Sequence, residues 1–153
     1  MIRMKINTKY HGEIEIEDKA IIVFEEGIPS FENEKQFVIL PLEEDSPFLI
    51  LQSVTTPGLG FVIINPFEYF TDYTIDLSEP TVQKLNIANE EQVAIYTILT
   101  VQDPFENTTA NLSGPIVINV KEQLGKQVIL NTEKYTTKHR IIETPAVVSE
   151  EGK

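Results

Sequence analysis

The chain has 153 residues, with 24 acidic and 12 basic side chains and a formal net charge of −12. At this length one domain is expected, which buries about 70% of the surface that the unfolded chain exposes. The absence of cysteine excludes disulfides, thiolate catalysis and cysteine-ligated zinc or iron–sulfur sites. The acidic balance argues against direct binding of nucleic acid, because DNA- and RNA-binding surfaces are basic.

Neither a membrane span nor a secretion signal is expected. No apolar run approaches the length of about 18 residues that a membrane helix requires. The N-terminal residues 1–6 alternate charged and apolar side chains and lack the apolar middle of a signal peptide. We therefore expect a cytoplasmic protein with no membrane partner.

The negative charge is concentrated between residues 13 and 106. That stretch holds 19 acidic residues against Lys19, Lys35 and Lys84, and Lys84 is the only basic residue between positions 36 and 120. At physiological ionic strength the resulting field decays over about 8 Å, far enough to attract a basic partner or to repel a polyanion. Solubility alone is the alternative explanation of this acidity.

Residue usage favours strands over helices, because Ile, Val and Thr together number 46 whereas Ala numbers five. The clearest alternation lies at Val93–Val101, where Val93, Ile95 and Leu99 share one face. The last two candidates are expected to be linked through Lys121–Lys126, with Gly125 as the turn residue. The strand candidates, bounded mostly by Pro, Gly or Asn, are Met4–Lys9, Glu13–Glu17, Ile21–Phe24, Phe37–Leu40, Phe48–Gln52, Phe61–Ile64, Val93–Val101, Ile116–Val120 and Gln127–Leu130.

One segment favours an α-helix of two to three turns. Ser78–Leu85 begins with a capping-type serine and places Pro80 in the first turn, where a missing N–H is tolerated. Shorter helical turns are expected near Glu32–Lys35 and at Thr108–Leu112.

Eight to nine short strands predict an all-β, mainly antiparallel fold with one short helix. A small β-barrel-like domain over residues 1–142 is favoured, since closure removes exposed sheet edges. A two-sheet sandwich is the alternative. Residues 143–153 lack periodicity and are expected to form a flexible C-terminal tail.

The sequence gives little support for catalysis, a cofactor or a metal site. His11 and His139 have no serine or acid at an informative spacing, and the seven glycines are too scattered to form a phosphate-binding loop. The run Glu43-Glu44-Asp45 lacks the alternating ligand pattern of a calcium loop. We therefore expect no enzymatic activity.

The segment Asn65–Asp76 combines four aromatic and three acidic residues directly after a strand that Pro66 prevents from continuing. In an extended segment the four aromatics cannot all face one core, so at least one is expected to be partly exposed, as suits a protein-binding anchor. Packing of all four in the core is the alternative. The candidate apolar anchors are Phe67, Tyr69, Phe70 and Tyr73. The candidate acidic contacts are Glu43, Glu44, Asp45, Glu68, Asp72 and Asp76.

The polar loop Gln102–Leu112 is a second candidate recognition element. Asn107, Thr108 and Asn111 are its candidate contact residues. Alternatively, the loop is an ordered connection in which these side chains hydrogen-bond nearby backbone.

A series of short motifs runs in order along the chain from about residue 5 to residue 142. The motifs are Gly27-Ile28-Pro29-Ser30-Phe31, Phe37-Val38-Ile39-Leu40-Pro41-Leu42, Asp45-Ser46-Pro47-Phe48-Leu49, Leu51-Gln52-Ser53, Asn65-Pro66-Phe67, Leu99-Thr100-Val101, Thr109 to Asn119 and Lys126-Gln127-Val128-Ile129-Leu130. With this order and spacing, the chain resembles the bacterial flagellar assembly factor family FliW.

The resemblance implies a non-enzymatic, barrel-like regulator without a cofactor. Members of the family bind newly made flagellin in the cytoplasm, and they also bind the RNA-binding regulator CsrA and antagonise its repression of flagellin mRNA. When flagellin is exported, the freed factor captures CsrA and flagellin synthesis resumes. The acidity of the chain is compatible with such a role, since a protein that grips RNA presents a cationic surface.

Two other functional classes remain open at the level of sequence. The first is a small barrel that binds oligonucleotides or sugars, which binding of single-stranded RNA at physiological salt would favour. The second is a glycan-cleaving enzyme, which two carboxylates about 5–9 Å apart in a deep cleft would favour.

Overall fold

The computed structural model describes residues 2–142, which form eleven strands and one α-helix. The predicted flexible tail, 143–153, lies outside the described residues. Within them, no helix is long and apolar enough to cross a membrane. The elements are β1 (Arg3–Thr8), β2 (Gly12–Glu17), β3 (Ile22–Val23), β4 (Gln36–Pro41), β5 (Leu49–Ser53), β6 (Gly60–Ile64), α1 (Glu79–Lys84), β7 (Val93–Thr100), β8 (Thr109–Ala110), β9 (Ile116–Asn119), β10 (Leu124–Gln127) and β11 (His139–Arg140).

Seven of the strands close into a barrel. Strands β3 to β7 pair in sequence order, β7 also pairs with β9, β9 pairs with β10, and β10 returns to β3. All of these pairs are antiparallel except β10 with β3, which is parallel. The predicted all-β, mainly antiparallel barrel with one short helix is confirmed, and the sandwich alternative is wrong.

The barrel interior is filled by alternate residues of its strands. In β7, Tyr96 and Ile98 pack against the interior cluster, whereas Ile95 and Leu99 pack against clusters on the outer face. This follows from the period of two in a strand, which sends successive side chains to opposite faces. The buried interior residues are Ile22, Phe24, Ile28, Phe37, Leu51, Ile63, Ile116 and Ile118.

The outer face of the barrel is also covered, which explains why its strands are apolar on both sides. The hairpin of β1 and β2 packs Ile6 and Ile16 against Val38 of β4. Helix α1 is capped by Ser78, whose hydroxyl accepts a hydrogen bond from the Thr81 N–H at 3.4 Å. The helix is shorter than predicted, and it is followed by buried Leu85, which packs outside the barrel.

A buried asparagine fixes the end of the helix to the barrel. Asn119 of β9 donates from its side-chain amide to the carbonyls of Leu85 and Asn86, at 2.7 and 3.1 Å. Its Oδ1 accepts from the backbone N–H groups of Lys121 and Glu122, at 3.0 and 3.1 Å. Every polar group of this fully buried side chain is thereby used, as burial requires.

The predicted final strand, Gln127–Leu130, is displaced. The observed strand β10 is Leu124–Gln127, and the turn before it contains Gln123 with φ of 56° instead of Gly125. Gly125 lies within this strand and not in the turn. The position requires glycine because a Cβ atom there would stand 2.6 Å from the Phe24 ring. Glycine is needed here for close packing, but in the sequence alone such a glycine cannot be distinguished from one that marks a turn.

Both predicted minor helical turns are wrong. Glu32 and Asn33 form a non-helical turn after an isolated bridge between Ile28 and Phe31, and residues 34–35 have no regular secondary structure. Residues 108–112 contain strand β8, and a 3₁₀ turn precedes it at Phe105–Asn107. At the second place, pairing of β8 with β7 and β11 replaces the predicted helical turn.

Candidate functional site

The aromatic segment begins with a 3₁₀ turn at Pro66–Glu68, where β6 ends. Asn65 stabilises this turn because its side-chain oxygen accepts from the Phe67 N–H at 2.9 Å. Pro66 is buried and starts the turn, as its fixed φ favours. The segment therefore begins with a tight turn and is not extended there.

Tyr73 is part of the scaffold. It is only 3% exposed, and its hydroxyl donates to the Leu112 carbonyl at 2.7 Å. Its ring packs edge-on against Tyr135 with centroids 4.7 Å apart. Burial raises the pKa of Tyr73 well above its usual range, so it remains a neutral hydrogen-bond donor.

Phe67 is 42% exposed, and its ring centroid lies 5.7 Å from that of Tyr73. Tyr69 and Phe70 are half-buried. Burial, together with the neighbouring Glu68 carboxylate, raises the pKa of Tyr69. Partial exposure of at least one aromatic is confirmed, and Tyr73, named as an anchor candidate, is buried instead.

Two clefts flank Tyr73. The first, which we call the acidic cleft, has a volume of about 580 Å³ and carries Asp76 and Glu90. Its apolar lining comes from the outer face of β7, from α1 and from the segments on either side of α1. The lining side chains are Phe67, Tyr73, Ile75, Leu77, Val82, Ile87, Val93 and Ile95.

The second cleft, which we call the tyrosine cleft, has a volume of about 310 Å³ and mixed charge. Asp72 lines it together with Lys134 and His139. The Tyr135 hydroxyl accepts from the Thr74 N–H at 3.0 Å, which lowers the pKa of Tyr135. The cleft therefore presents both hydrogen-bonding groups and the half-buried rings of Tyr69 and Phe70.

The structure separates the acidic candidates into two groups. Asp72 and Asp76 line the two clefts, and exposed Glu68 lies on the 3₁₀ turn between β6 and Tyr73. Glu43, Glu44 and Asp45 are exposed in the turn between β4 and β5 and line neither cleft.

The polar loop uses its candidate residues for its own structure. Thr108 is fully buried, and its hydroxyl accepts from the Gln102 N–H at 2.9 Å. Asn107 accepts from the Arg140 guanidinium at 3.2 Å, and the Asn111 oxygen accepts from the Gly114 N–H at 2.9 Å. These bonds match the alternative interpretation of the loop as an ordered connection.

Several cleft residues were not among the sequence candidates. They include Ile75, Leu77, Val82 and Glu90 of the acidic cleft. The alternation at Val93–Val101 predicts two faces of a strand, but it does not show which face is outward or which segment crosses that face. Among residues 2–142, no group of three or more histidines and carboxylates is arranged to hold a metal ion.

Comparison with known proteins places the chain among close relatives. The family model described as "FliW protein" matches residues 5–141. A protein named flagellar assembly factor FliW from Geobacillus thermodenitrificans is 64% identical over 138 residues, which is 90% of this chain and 95% of that protein. The protein of the same name from Bacillus subtilis is 54% identical, over 90% of this chain and 96% of its own length.

A solved structure agrees with these sequence matches. The crystal structure of a flagellar assembly factor FliW superposes with a TM-score of 0.85 at 59% sequence identity. The similarity covers 92% of this chain and 98% of the crystallised chain.

Proposed function

Because the chain belongs to the FliW family, we propose that it is a flagellar assembly factor that works by exchanging two protein partners. In this proposal it binds flagellin in the cytoplasm. When flagellin is exported, it binds the translational repressor CsrA and relieves repression of flagellin synthesis. The proposal requires no catalytic chemistry, no cofactor and no direct contact with nucleic acid.

One observation supports protein binding most directly: a large aromatic side chain is exposed beside an apolar cleft that carries carboxylates. Phe67 is 42% exposed and lines the acidic cleft with Asp76 and Glu90. Exposed aromatic anchors next to apolar cavities are typical of interface hot spots. The amphipathic helical ends of flagellin would supply a complementary apolar face.

The charge of the chain supports CsrA as the second partner. The described surface around the barrel is acidic, with Glu68, Asp72 and Asp76 along the aromatic segment. A repressor that holds RNA through phosphate contacts must present a basic surface, to which such a partner is attracted. The acidic surface of the bound chain would also weaken the binding of RNA by CsrA. By linkage, RNA would weaken the complex of the chain with CsrA by the same factor, which is about 5–150-fold for a coupling free energy of about 1–3 kcal/mol.

The proposed contact residues follow from exposure. Phe67, Tyr69 and Phe70 are the proposed apolar contacts. Tyr73 and Thr108 are buried and are not proposed as contacts. Asn107 and Asn111 remain candidates at the edge of the polar loop, although each already accepts a hydrogen bond within the chain. The six acidic candidates, Glu43, Glu44, Asp45, Glu68, Asp72 and Asp76, are all exposed and are the proposed acidic contacts.

The experiment mixes the purified chain separately with flagellin, with CsrA and with flagellin leader RNA, and follows complex formation by calorimetry. We expect complexes with both proteins at micromolar concentration in moderate salt and none with the RNA. Failure of both protein complexes would overturn the proposal. Direct binding of the RNA at physiological salt would favour the oligonucleotide-binding alternative instead.

A further inference from the structure

Aromatic rings dominate the lining of the tyrosine cleft. Unlike the acidic cleft, it is lined by no residue of α1 or β7 within residues 2–142. Its volume of about 310 Å³ lies at the lower end of the range that is typical of small-ligand sites. The negative face of an aromatic ring attracts cations, so this lining suits an organic cation. The aromatic lining residues are Tyr69, Phe70, Tyr73, Tyr135 and His139.

The rings of the cleft wall are held in place by hydrogen bonds and by each other. The Tyr135 hydroxyl accepts from the Thr74 N–H at 3.0 Å, and Nε2 of His139 accepts from the Thr136 N–H at 2.8 Å. A ring nitrogen that accepts a hydrogen bond belongs to a neutral imidazole, so His139 adds no positive charge in this arrangement. The Phe70 ring packs edge-on against His139, with centroids 6.1 Å apart. The wall is therefore ordered before any ligand arrives.

One ring of the cleft already carries a cation of the chain itself. Nζ of Lys134 lies 5.6 Å from the ring centroid of Tyr135, within the distance of about 6 Å for a cation–π contact. A face of Tyr135 is therefore open to an approaching cation. Lys134 is exposed and forms no ion pair within residues 2–142, so a cation that binds more strongly displaces it readily.

Carboxylates lie beside the same rings. Asp72 is exposed, lines the cleft and forms no ion pair within the described residues, and its carbonyl oxygen is 3.5 Å from the Tyr135 hydroxyl. Burial, followed by the charge of Glu68, raises the pKa of Tyr69, so a second carboxylate acts on the cleft wall.

The combination of rings and carboxylates favours a guanidinium over an ammonium group. A planar guanidinium stacks on an aromatic face and hydrogen-bonds a carboxylate at the same time. The ammonium group of lysine is more compact and more strongly hydrated, and it loses more solvation when it enters such a site. Arginine is therefore the side chain best suited to replace Lys134 on the Tyr135 ring.

We propose that the tyrosine cleft binds the guanidinium group of an arginine side chain of a partner protein, stacked on Tyr135 in place of the Lys134 ammonium and hydrogen-bonded to the Asp72 carboxylate. The inference rests on the proposed function only in that the partner is a protein with a basic surface. It adds an arginine-specific pocket separate from the acidic cleft, and an internal cation that competes for that pocket.

The probe is N-acetylarginine amide, titrated into the full chain and followed by NMR. The matched control is N-acetylcitrulline amide, in which a neutral urea of nearly the same shape replaces the guanidinium. We expect the arginine compound to bind at least about fivefold more tightly than the citrulline compound, and also more tightly than N-acetyllysine amide. Equal affinity for the arginine and citrulline compounds would overturn the inference.

The internal competitor gives a gain of binding as a readout. Lys134→Gln removes the cation that occupies the Tyr135 ring, and we expect it to strengthen arginine binding about threefold. The matched control is Lys138→Gln, because Lys138 is exposed in the same segment but does not line the cleft. Its removal should change the affinity by less than about 1.5-fold, since its charge is screened by salt. The same gain in both variants would contradict the proposed competition.

Two losses of binding locate the site. We expect Asp72→Asn to weaken arginine binding about fivefold, whereas Asp45→Asn, in a turn outside both clefts, leaves it within about 1.5-fold. Tyr135→Leu should weaken it similarly. Its control is Tyr10→Leu, because Nζ of Lys9 lies 5.5 Å from the Tyr10 ring centroid but Tyr10 does not line the cleft. Indifference to both Asp72→Asn and Tyr135→Leu would exclude this cleft as the site.

The protein complexes separate this inference from the proposed function. If wild type binds flagellin and CsrA but Asp72→Asn and Lys134→Gln leave arginine binding unchanged, the proposed function survives and the inference fails. If the arginine results hold but neither protein binds, the cleft assignment survives and the proposed function fails. If arginine and both proteins bind but the two variants alter neither complex, the cleft takes a free guanidino compound and a partner arginine is excluded.

Discussion

Glu26 connects three parts of the chain through a single side chain. From the turn after β3, its carboxylate binds Lys126 of β10 at 2.6 Å and also binds Lys84 of α1. Hydrogen bonds from Lys126 and Lys84 lower the pKa of Glu26 from 4.5 to about 2. The side chain is 46% exposed, so solvent screening limits the contribution of this arrangement to about 1 kcal/mol.

We predict that Glu26→Gln lowers the free energy of unfolding by about 1 kcal/mol at pH 7. Because the folded pKa is depressed, the stabilisation is fully present above the unfolded value of 4.5 and is lost as pH falls toward about 2. The difference in the free energy of unfolding between wild type and variant, measured by urea denaturation, should therefore decrease as the pH is lowered from about 6 to about 3. The control is Glu25→Gln, because Glu25 makes no ion pair within residues 2–142. An equal loss in both variants would contradict the assignment.

Gly125 is required because Phe24 lies directly against its Cα. A Cβ atom would stand 2.6 Å from Cζ and 2.7 Å from Cε1 of that ring, which is fully buried inside the barrel. We predict that Gly125→Ala costs about 2 kcal/mol, the usual cost of overpacking a core. Gly58→Ala is the control, since a Cβ there meets no atom within 4 Å. Chemical denaturation of both variants tests this, and equal stability of the two would refute the packing role.

Among the secondary-structure elements, strands are predicted well wherever an alternating apolar pattern is bounded by Pro, Gly or Asn. The first hairpin and β7 are found close to their observed bounds, because Ile6, Ile16 and Leu99 mark their buried faces. The position of β10 and the two-residue strands β8 and β11 are missed. Their pairing depends on segments that are distant in the sequence. Gly125 predicts a turn from its local sequence, whereas in the fold it allows the close approach of Phe24.

The composition of the candidate site was predictable, whereas its geometry was not. The sequence shows that aromatics and acids are mixed after Pro66, but exposure depends on which segment crosses the outer face of β7. Tyr73 is buried because its hydroxyl reaches Leu112, 39 residues away. The acidic cleft likewise forms because Val82 of α1 and Ile95 of β7 lie close together in the fold, and no local sequence pattern predicts this proximity.

Within the aromatic segment, folding and binding can be separated by mutation. We predict that Phe67→Ala changes the free energy of unfolding by less than about 1 kcal/mol, because the ring is 42% exposed, yet weakens partner binding at least about tenfold as a truncated hot spot does. Phe105→Ala is the matched control, since Phe105 is 39% exposed and lines neither cleft. Calorimetric titration with flagellin and CsrA decides the matter, and comparable affinities for the two variants would exclude Phe67 as an anchor.

At the scale of the whole molecule, the net charge of −12 sets how salt affects the two proposed complexes. A complex held by opposite charges weakens as salt shortens the screening length, whereas an apolar one changes little. We predict that raising NaCl from about 50 to about 200 mM weakens the CsrA complex about tenfold and the flagellin complex no more than about threefold. Equal salt dependence would remove the electrostatic basis for CsrA recognition while leaving both complexes possible.

The partner exchange itself is tested most directly with labelled flagellin leader RNA bound to CsrA, followed by fluorescence anisotropy. Adding the chain should release the RNA from CsrA, and subsequent addition of flagellin should restore RNA binding as flagellin withdraws the chain. The chain alone should leave the anisotropy of free RNA unchanged. RNA that stays bound to CsrA when the chain is in excess, or that is not recaptured after flagellin is added, would contradict the account.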